Sequence, residues 1–280
     1  LLADLKRSGK LFADETTAPV LDPGRGRTKT GQLWAYARDD RPWGGSDPPA
    51  VAYCYAPDRK AERPIEHLAG FKGTLQVDGY GGYGALARRG EVALAFCWAH
   101  VRRRFYELAA AGASPVASDV LARIARLYAL ETDVRGRSPD QRRAARQEHS
   151  RPIIDELHRV LDTRLTQVSR KSRLAEAIRY ALTRWEGLTR FLDDGRIELD
   201  SNTVERSIRP IALNRKNALF AGSDDGGEHW AVIASLIETA KLNGIDPQAW
   251  LTDTLSKLAA GHRNDRLGEL MPWNYSADVA

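Results

Sequence analysis

Gly73-Thr74-Leu75-Gln76-Val77-Asp78-Gly79-Tyr80 is a short apolar run that ends on a carboxylate and a glycine. A continuous run of this kind, bounded by turn residues, reads as a strand inside a covered sheet, and Val92 to Trp98 reads the same way. Upstream, Lys10 to Leu21 is a strand broken by Asp22-Pro23-Gly24. Gln32 to Arg38 alternates polar and apolar residues and pairs with it as a hairpin, and Ala50 to Tyr55 is a third strand. A short helix over Ala61 to Leu68 stops before Gly70. The order is three strands, a helix, a strand, a short helix and a strand.

From Ala99 the period becomes helical: Val101, Phe105 and Leu108 share a face, and Gly112 stops the helix. Helices follow at about Ala117 to Val134, Pro139 to His149 and Pro152 to Asp162, and a fourth runs from Leu174 through Phe191 until Gly195. Beyond it the pattern predicts a helix from Glu205 to Arg209 and an extended stretch from Ile211 to Phe220. An amphipathic helix over Glu228 to Asn243 ends at Gly244. A last helix has Asp246 as N-cap and Pro247 at its first position, and ends at Gly261. The tail after it is polar and irregular, with Trp273 pinned down. The expected fold class is α/β (mixed α+β): a mixed sheet flanked by helices. It is built from residues 1–111 and 193–245, interrupted by an all-helical insertion at 112–192 and closed by a helical tail at 246–280.

The 280 residues favour two units or one domain with a large insertion. A hydrophobic share of 42% against 28% charged excludes wholesale disorder. Cys54 and Cys97 cannot build a disulfide framework, and no run approaches the length of a membrane span. The expectation is a soluble, cytoplasmic protein with no membrane partner. Leu1 comes first and Met271 is the only methionine, which points to a piece of a longer reading frame. The formal net charge is +5. Residues 112–192 carry 16 Lys and Arg against 10 Asp and Glu, so the whole excess sits in the helical insertion. Such an excess attracts polyanions; an Arg-rich solvated surface reads equally well.

Three acidic residues stand at the ends of elements: Asp14 after Leu11-Phe12-Ala13, Asp78, and Glu205 at the head of a basic helix. Hard divalent ions take carboxylate oxygens, and paired ions in phosphoryl transfer need several that converge. Each position has a plainer reading. Asp4 and Glu15 compete with Asp14, Asp78 can start a turn, and Asn202 with Glu205 matches a capping box. Cys97-Trp98-Ala99-His100 has metal half-site spacing without a second pair, so His100 is read either as reaching a phosphate or as packed at a helix start. The basic candidates for DNA contact are Arg25, Arg27 and Lys29 in a hairpin tip, Arg102 and Arg103 after His100, and Arg206, Arg209, Arg215 and Lys216 after Glu205. The hairpin tip lacks the Gly-Lys-Ser/Thr ending of a nucleotide-binding loop.

Several longer strings carry a resemblance: Phe12-Ala13-Asp14-Glu15-Thr16, Gly24-Arg25-Gly26-Arg27-Thr28-Lys29-Thr30-Gly31, Leu75-Gln76-Val77-Asp78-Gly79-Tyr80, Cys97-Trp98-Ala99-His100-Val101-Arg102-Arg103-Arg104-Phe105 and Ser201-Asn202-Thr203-Val204-Glu205-Arg206-Ser207-Ile208-Arg209-Pro210. Phe220-Ala221-Gly222-Ser223-Asp224-Asp225-Gly226-Gly227-Glu228 and Leu236-Ile237-Glu238-Thr239-Ala240-Lys241-Leu242-Asn243-Gly244 extend it. Together they resemble the bacterial transposases of the insertion-sequence-66 family. The resemblance implies a ribonuclease H-like core with a DDE triad at Asp14, Asp78 and Glu205, holding two Mg²⁺ or Mn²⁺ ions. It implies DNA cleavage at transposon ends, 3′-hydroxyl transfer into target DNA, a homo-oligomer on DNA, association with the nucleoid and accessory proteins. The Cys97/His100 spacing is similar to a cysteine-x-x-histidine signature of several DDE transposases. No string here matches the N-terminal helix-turn-helix and metal-binding regions of that family, so recognition of transposon ends is not expected of these residues alone. A truncated, non-catalytic DNA-binding remnant and a nuclease that never joins strands are the alternatives.

Overall fold

The computed structural model describes residues 1–112 and 114–276, and the chain divides into two compact units. One comprises residues 1–39, 47–72 and those from 202 on; the other comprises residues 40–46 and 73–201.

The first unit opens with a helical turn, α1 (Leu2–Leu5), and three strands, β1 (Lys10–Asp22), β2 (Arg27–Arg38) and β3 (Ala50–Ala56). All are antiparallel, with Phe12 opposite Ala37, Asp14 opposite Ala35, and Ala35 opposite Tyr53. The hairpin ladder closes at Asp22 and Arg27, so β2 starts five residues before the alternating stretch begins. Side chains alternate across a strand, and Phe12, Ala18, Leu33, Ala35, Ala37, Val51 and Tyr53 share one buried face. After α2 (Glu62–His67) the chain enters the second unit.

There β4 (Gly73–Val77), α3 (Gly82–Ala87) and β5 (Val92–Phe96) make a parallel pair, with Gly73 opposite Val92 and Val77 opposite Phe96. Parallel and antiparallel pairings thus both occur, as the mixed reading required. The helices are α4 (Trp98–Ala110), α5 (Pro115–Val134), α6 (Pro139–Ala145), α7 (Arg151–Gln167), α8 (Arg173–Leu182) and α9 (Trp185–Thr189). They bury Trp98, Val101, Phe105, Ile124, Leu157 and Ile178 in a common core. Two helices were expected over Pro139–His149 and Pro152–Asp162. They form one continuous path instead, joined by a π turn at Arg146–Ser150. Proline lacks the N–H that bonds back one turn, and the widened turn ahead of Pro152 takes up that mismatch. The single helix expected from Leu174 to Phe191 is broken after Leu182. The break lets Gly187 approach β5 so closely that a Cβ would stand 2.4 Å from the Phe96 ring.

Buried charge locks this unit. Arg146 is 1% exposed, gives Nε and Nη2 to Glu131 at 2.7 Å each, and bonds the carbonyls of Phe191 and Ile197 at 2.8 and 2.9 Å. Arg142, equally buried, meets Glu198 at 2.8 Å. Part of the basic excess of the insertion is therefore internal structure.

The chain returns to the first unit in α10 (Asn202–Ala218), α11 (Asp224–Leu242) and α12 (Pro247–Ala259). This corrects the extended stretch expected over Ile211–Phe220: the helix runs through Pro210, and Arg215 and Lys216 lie on it. Burial overrides the proline, because Ile211 continues the stripe of Val204 and Ile208 against Phe12 and Ala35. On α11, Ser235, Thr239 and Asn243 stand one turn apart and serve the backbone of β3 and the residue before it. Ser235 Oγ accepts from Tyr53 N at 2.8 Å, Thr239 Oγ1 accepts from Val51 N at 3.2 Å and donates to Val51 O at 3.1 Å, and Asn243 donates to Pro49 O at 2.8 Å. Polar side chains thus cover strand backbone. Gly227 lies where a Cβ would stand 2.8 Å from the Tyr55 ring, and Ser223 caps α11. The Asp246 cap on α12 is formed, and Trp250 Nε1 donates to Leu270 O at 3.0 Å, fastening a tail in which Pro272 is buried and Trp273 half-buried. No helix among the described residues is long and apolar enough to cross a membrane.

Candidate functional site

Asp14 alternates with Phe12 and Ala18 along β1, so it belongs to the face that α10 covers through Val204, Ile208 and Ile211. It is half-buried, and its Oδ1 accepts the Glu15 N–H at 2.8 Å. Its competitors are tied elsewhere. Asp4 meets the buried Arg38 at 3.0 Å, and Glu15 is held by Arg59. Glu205 lies half-buried in the first turn of α10, where the partial positive charge of a helix N-terminus favours an anion. The first unit therefore brings Asp14 and Glu205, 191 positions apart, to a strand and a helix packed on each other.

Asp78, in the second unit, is the residue after β4. Its Oδ1 accepts Tyr80 N at 2.8 Å, the turn that the sequence allowed. Gly79 has φ +102°, a conformation that favours glycine, and a Cβ there would stand 2.8 Å from Arg184 Nε and displace that side chain. The Asp78 carbonyl accepts the Tyr180 hydroxyl at 2.9 Å. Arg104 and Arg184 lie 4.0 and 4.1 Å from the Tyr180 ring centroid. Both guanidiniums therefore lie within cation–π reach of the same ring. Sequence reasoning missed Tyr180, Arg104 and Arg184. They sit in helices whose periodicity marks apolar faces and gives no sign of a partner about a hundred residues upstream.

Cys97 occupies the N-cap of α4, is buried, and its Sγ accepts Ser201 N at 3.3 Å. A ring nitrogen of the half-buried His100 lies within 4.8 Å of that sulfur. Arg102 and Arg103 are exposed on α4, and Arg102 stacks on Tyr106. On α10, Arg206, Arg209 and Lys216 are exposed and recur at near-helical spacing, whereas Arg215 reaches back to the Thr17 carbonyl at 2.7 Å. In the hairpin, Arg25 and Arg27 are exposed. Lys29 is bound to Asp224 at 2.6 Å, and Asp224 also accepts the Tyr55 hydroxyl at 2.5 Å. The lysine, then the tyrosine, hold the Asp224 carboxyl below the usual aspartate range.

A family model described as "Transposase IS66 family" matches residues 1–229, and one described as "IS66 C-terminal element" matches residues 235–273. The uncharacterized protein y4qI of Sinorhizobium fredii is 50% identical over 286 residues, covering 100% of this chain and 53% of that protein. The uncharacterized proteins y4jD and y4hP of the same organism are 48% and 41% identical, covering 99% and 95% of this chain and 56% and 50% of theirs. The chain thus spans about half the length of the curated relatives it matches. No solved structure matches. With two family models spanning nearly all of its length, the chain belongs to the IS66 family of transposases.

Proposed function

We propose that this chain is the catalytic region of a DDE transposase, with Asp14, Asp78 and Glu205 as the ligands of two Mg²⁺ or Mn²⁺ ions. The observation that carries the reading is that a transposase-family chain presents Asp14 and Glu205 from a strand and a helix packed together. Three carboxylates are hard oxygen donors of the kind these ions select, and half-buried positions suit ligands that keep access to a substrate. When bound, such ions supply Lewis acidity at the phosphodiester oxygens.

The chain's own residues then bind and align. Arg206 and Arg209 beside Glu205 offer charge-assisted donors to flanking phosphates, and the exposed Arg25, Arg27, Arg102, Arg103 and Lys216 extend the electrostatic footprint. His100, near the start of α4, would add a further phosphate contact. Lys29 and Arg215 contribute to this surface only by exchanging the protein partners they hold. In the reaction, water attacks phosphorus and the P–O3′ bond breaks, leaving a 3′-hydroxyl and a 5′-phosphate. That hydroxyl next attacks a target phosphodiester, one P–O bond forming as another breaks. No covalent protein–DNA intermediate is needed, so catalysis is alignment and charge stabilisation. Two DNA ends require two such centres, which fits a homo-oligomer assembled on DNA, with accessory proteins supplied by the rest of the element.

The test is nicking and labelled 3′-end joining of DNA by the purified chain in Mg²⁺ or Mn²⁺, compared with Asp14→Asn, Asp78→Asn and Glu205→Gln. Each substitution is expected to abolish both steps while leaving DNA binding intact. Binding without metal-dependent nicking in any version would replace this reading with a non-catalytic DNA-binding remnant. Nicking without joining would leave a nuclease.

A further inference from the structure

We infer that Tyr180, in the helical block, is a positioning residue for Asp78, fixing the end of β4 through its hydrogen bond to the Asp78 carbonyl. The inference rests on the reading of Asp78 as a metal ligand and adds a role for a residue outside the triad.

Asp78 needs such help. It lies one residue past Val77, the last position of β4 paired with β5, and is followed by a glycine in the left-handed region, the most permissive backbone available. The Tyr80 N–H turns its carboxyl, but a shift of the backbone there would still weaken its hold on a small ion that demands fixed geometry. The contacts that fix this backbone come from residues 180–184. The Tyr180 hydroxyl donates to Asp78 O at 2.9 Å, and Arg184 Nη2 approaches Gly79 O at 3.4 Å. The Arg184 side chain also fills the space beside Gly79.

The donor is itself held. Tyr180 packs against the core of Trp98, Ile178 and Leu188, and the guanidiniums of Arg104 of α4 and of Arg184 lie against its ring. Arg104 in turn meets Glu176 at 3.6 Å. The three side chains come from α4, α8 and the start of α9, so the helices that separate β5 from Glu205 in sequence also set the aim of the second aspartate.

The experiment compares Mn²⁺ titrations of DNA nicking by the wild-type chain, Tyr180→Phe and Asp78→Asn, with thermal midpoint and DNA affinity measured on the same preparations. Tyr180→Phe keeps the ring and loses only the donor. It is expected to raise the Mn²⁺ concentration for half-maximal nicking by about 3- to 10-fold, the size of one net hydrogen bond. The saturating rate should fall less than that, with DNA affinity unchanged and the midpoint lowered by no more than the loss of one net hydrogen bond. Arg104→Gln, against the ring, is expected to shift the metal curve in the same direction by less, and it is the variant to read should Tyr180→Phe unfold. A Tyr180→Phe curve superimposed on that of the wild type, with Asp78→Asn inactive, overturns the positioning role and leaves the proposed function standing. Wild-type nicking by Asp78→Asn removes both.

Discussion

Tyr53 of β3 donates its hydroxyl hydrogen to the carbonyl of Ser207 in α10 at 2.5 Å. The row Asp14–Ala35–Tyr53 runs straight across the three strands, so the strand face that carries Asp14 is bonded to the helix that carries Glu205. Burial raises the Tyr53 pKa, and the hydroxyl stays a donor over the working pH range. Tyr53→Phe is expected to cost about 1 kcal/mol in chemical denaturation, one net hydrogen bond. Nicking should fall as well, because α10 loses a tie to the sheet two residues from Glu205.

Thr239 both accepts from and donates to Val51, standing in for a neighbouring strand. Thr239→Val keeps the shape and leaves a buried N–H and C=O unpaired. The expected loss is about 2–3 kcal/mol, read as a lower denaturation midpoint with an unchanged slope.

Removing one partner from a buried ionic cluster is expected to cost more than any surface pair. Arg146→Met leaves Glu131 with Arg142 alone, at 3.1 Å, and takes the donor from the Phe191 and Ile197 carbonyls, with an expected destabilisation of roughly 3–5 kcal/mol. Restoring much of the loss with Glu131→Leu in the same chain, where Arg142 keeps Glu198, would show that under-compensated charge, and not packing, carries the cost.

His67 gives an acid-side signature. Its ring is half-buried against Trp34 and Tyr36, and the Tyr36 hydroxyl meets its Nδ1 at 3.0 Å. Burial raises the Tyr36 pKa well above its usual value, so the tyrosine keeps its proton beside the ring. Burial lowers the His67 pKa to about 4. The unfolded chain therefore binds the extra proton first, and stability falls as pH drops from about 6.5 toward 4, by roughly 2 kcal/mol after allowing for the part of the ring that keeps water. His67→Gln should flatten that limb in thermal melts taken across the window.

The exposed row Arg206, Arg209 and Lys216 predicts a salt dependence. Replacing all three by Gln is expected to reduce the slope of log affinity against log salt for double-stranded DNA by about 2–3. An unchanged slope in a fluorescence anisotropy titration would remove this helix from the DNA surface.

The strands and most helices were legible because each carries its pattern openly: Gln32 to Arg38 alternate, and Val101, Phe105 and Leu108 recur at helical spacing. Asp246 and Pro247 announced α12 by cap chemistry alone. Pro210 misled, since a proline ends a helix by local rules, and only the burial of Ile211 against Phe12 says otherwise. The missing Tyr180 and Thr239 roles share a cause. Each is a polar group on a helix whose partner is a strand end or strand backbone far away in sequence, and a one-dimensional pattern holds no record of that partner.

The π turn at Arg146–Ser150 has a further consequence. It is equivalent to one surplus residue in a helical path, and each residue rotates a helix by about 100°. Winding the same residues as unbroken α-helix would swing Ile153, Ile154, Leu157 and Leu161 about a quarter-turn out of the interior they fill, whereas deleting one of the five would let the path straighten with that stripe in place. Along residues 139–167 this polypeptide can have a regular coil or a buried stripe, and the bulge at 146–150 is the scar of having chosen the second.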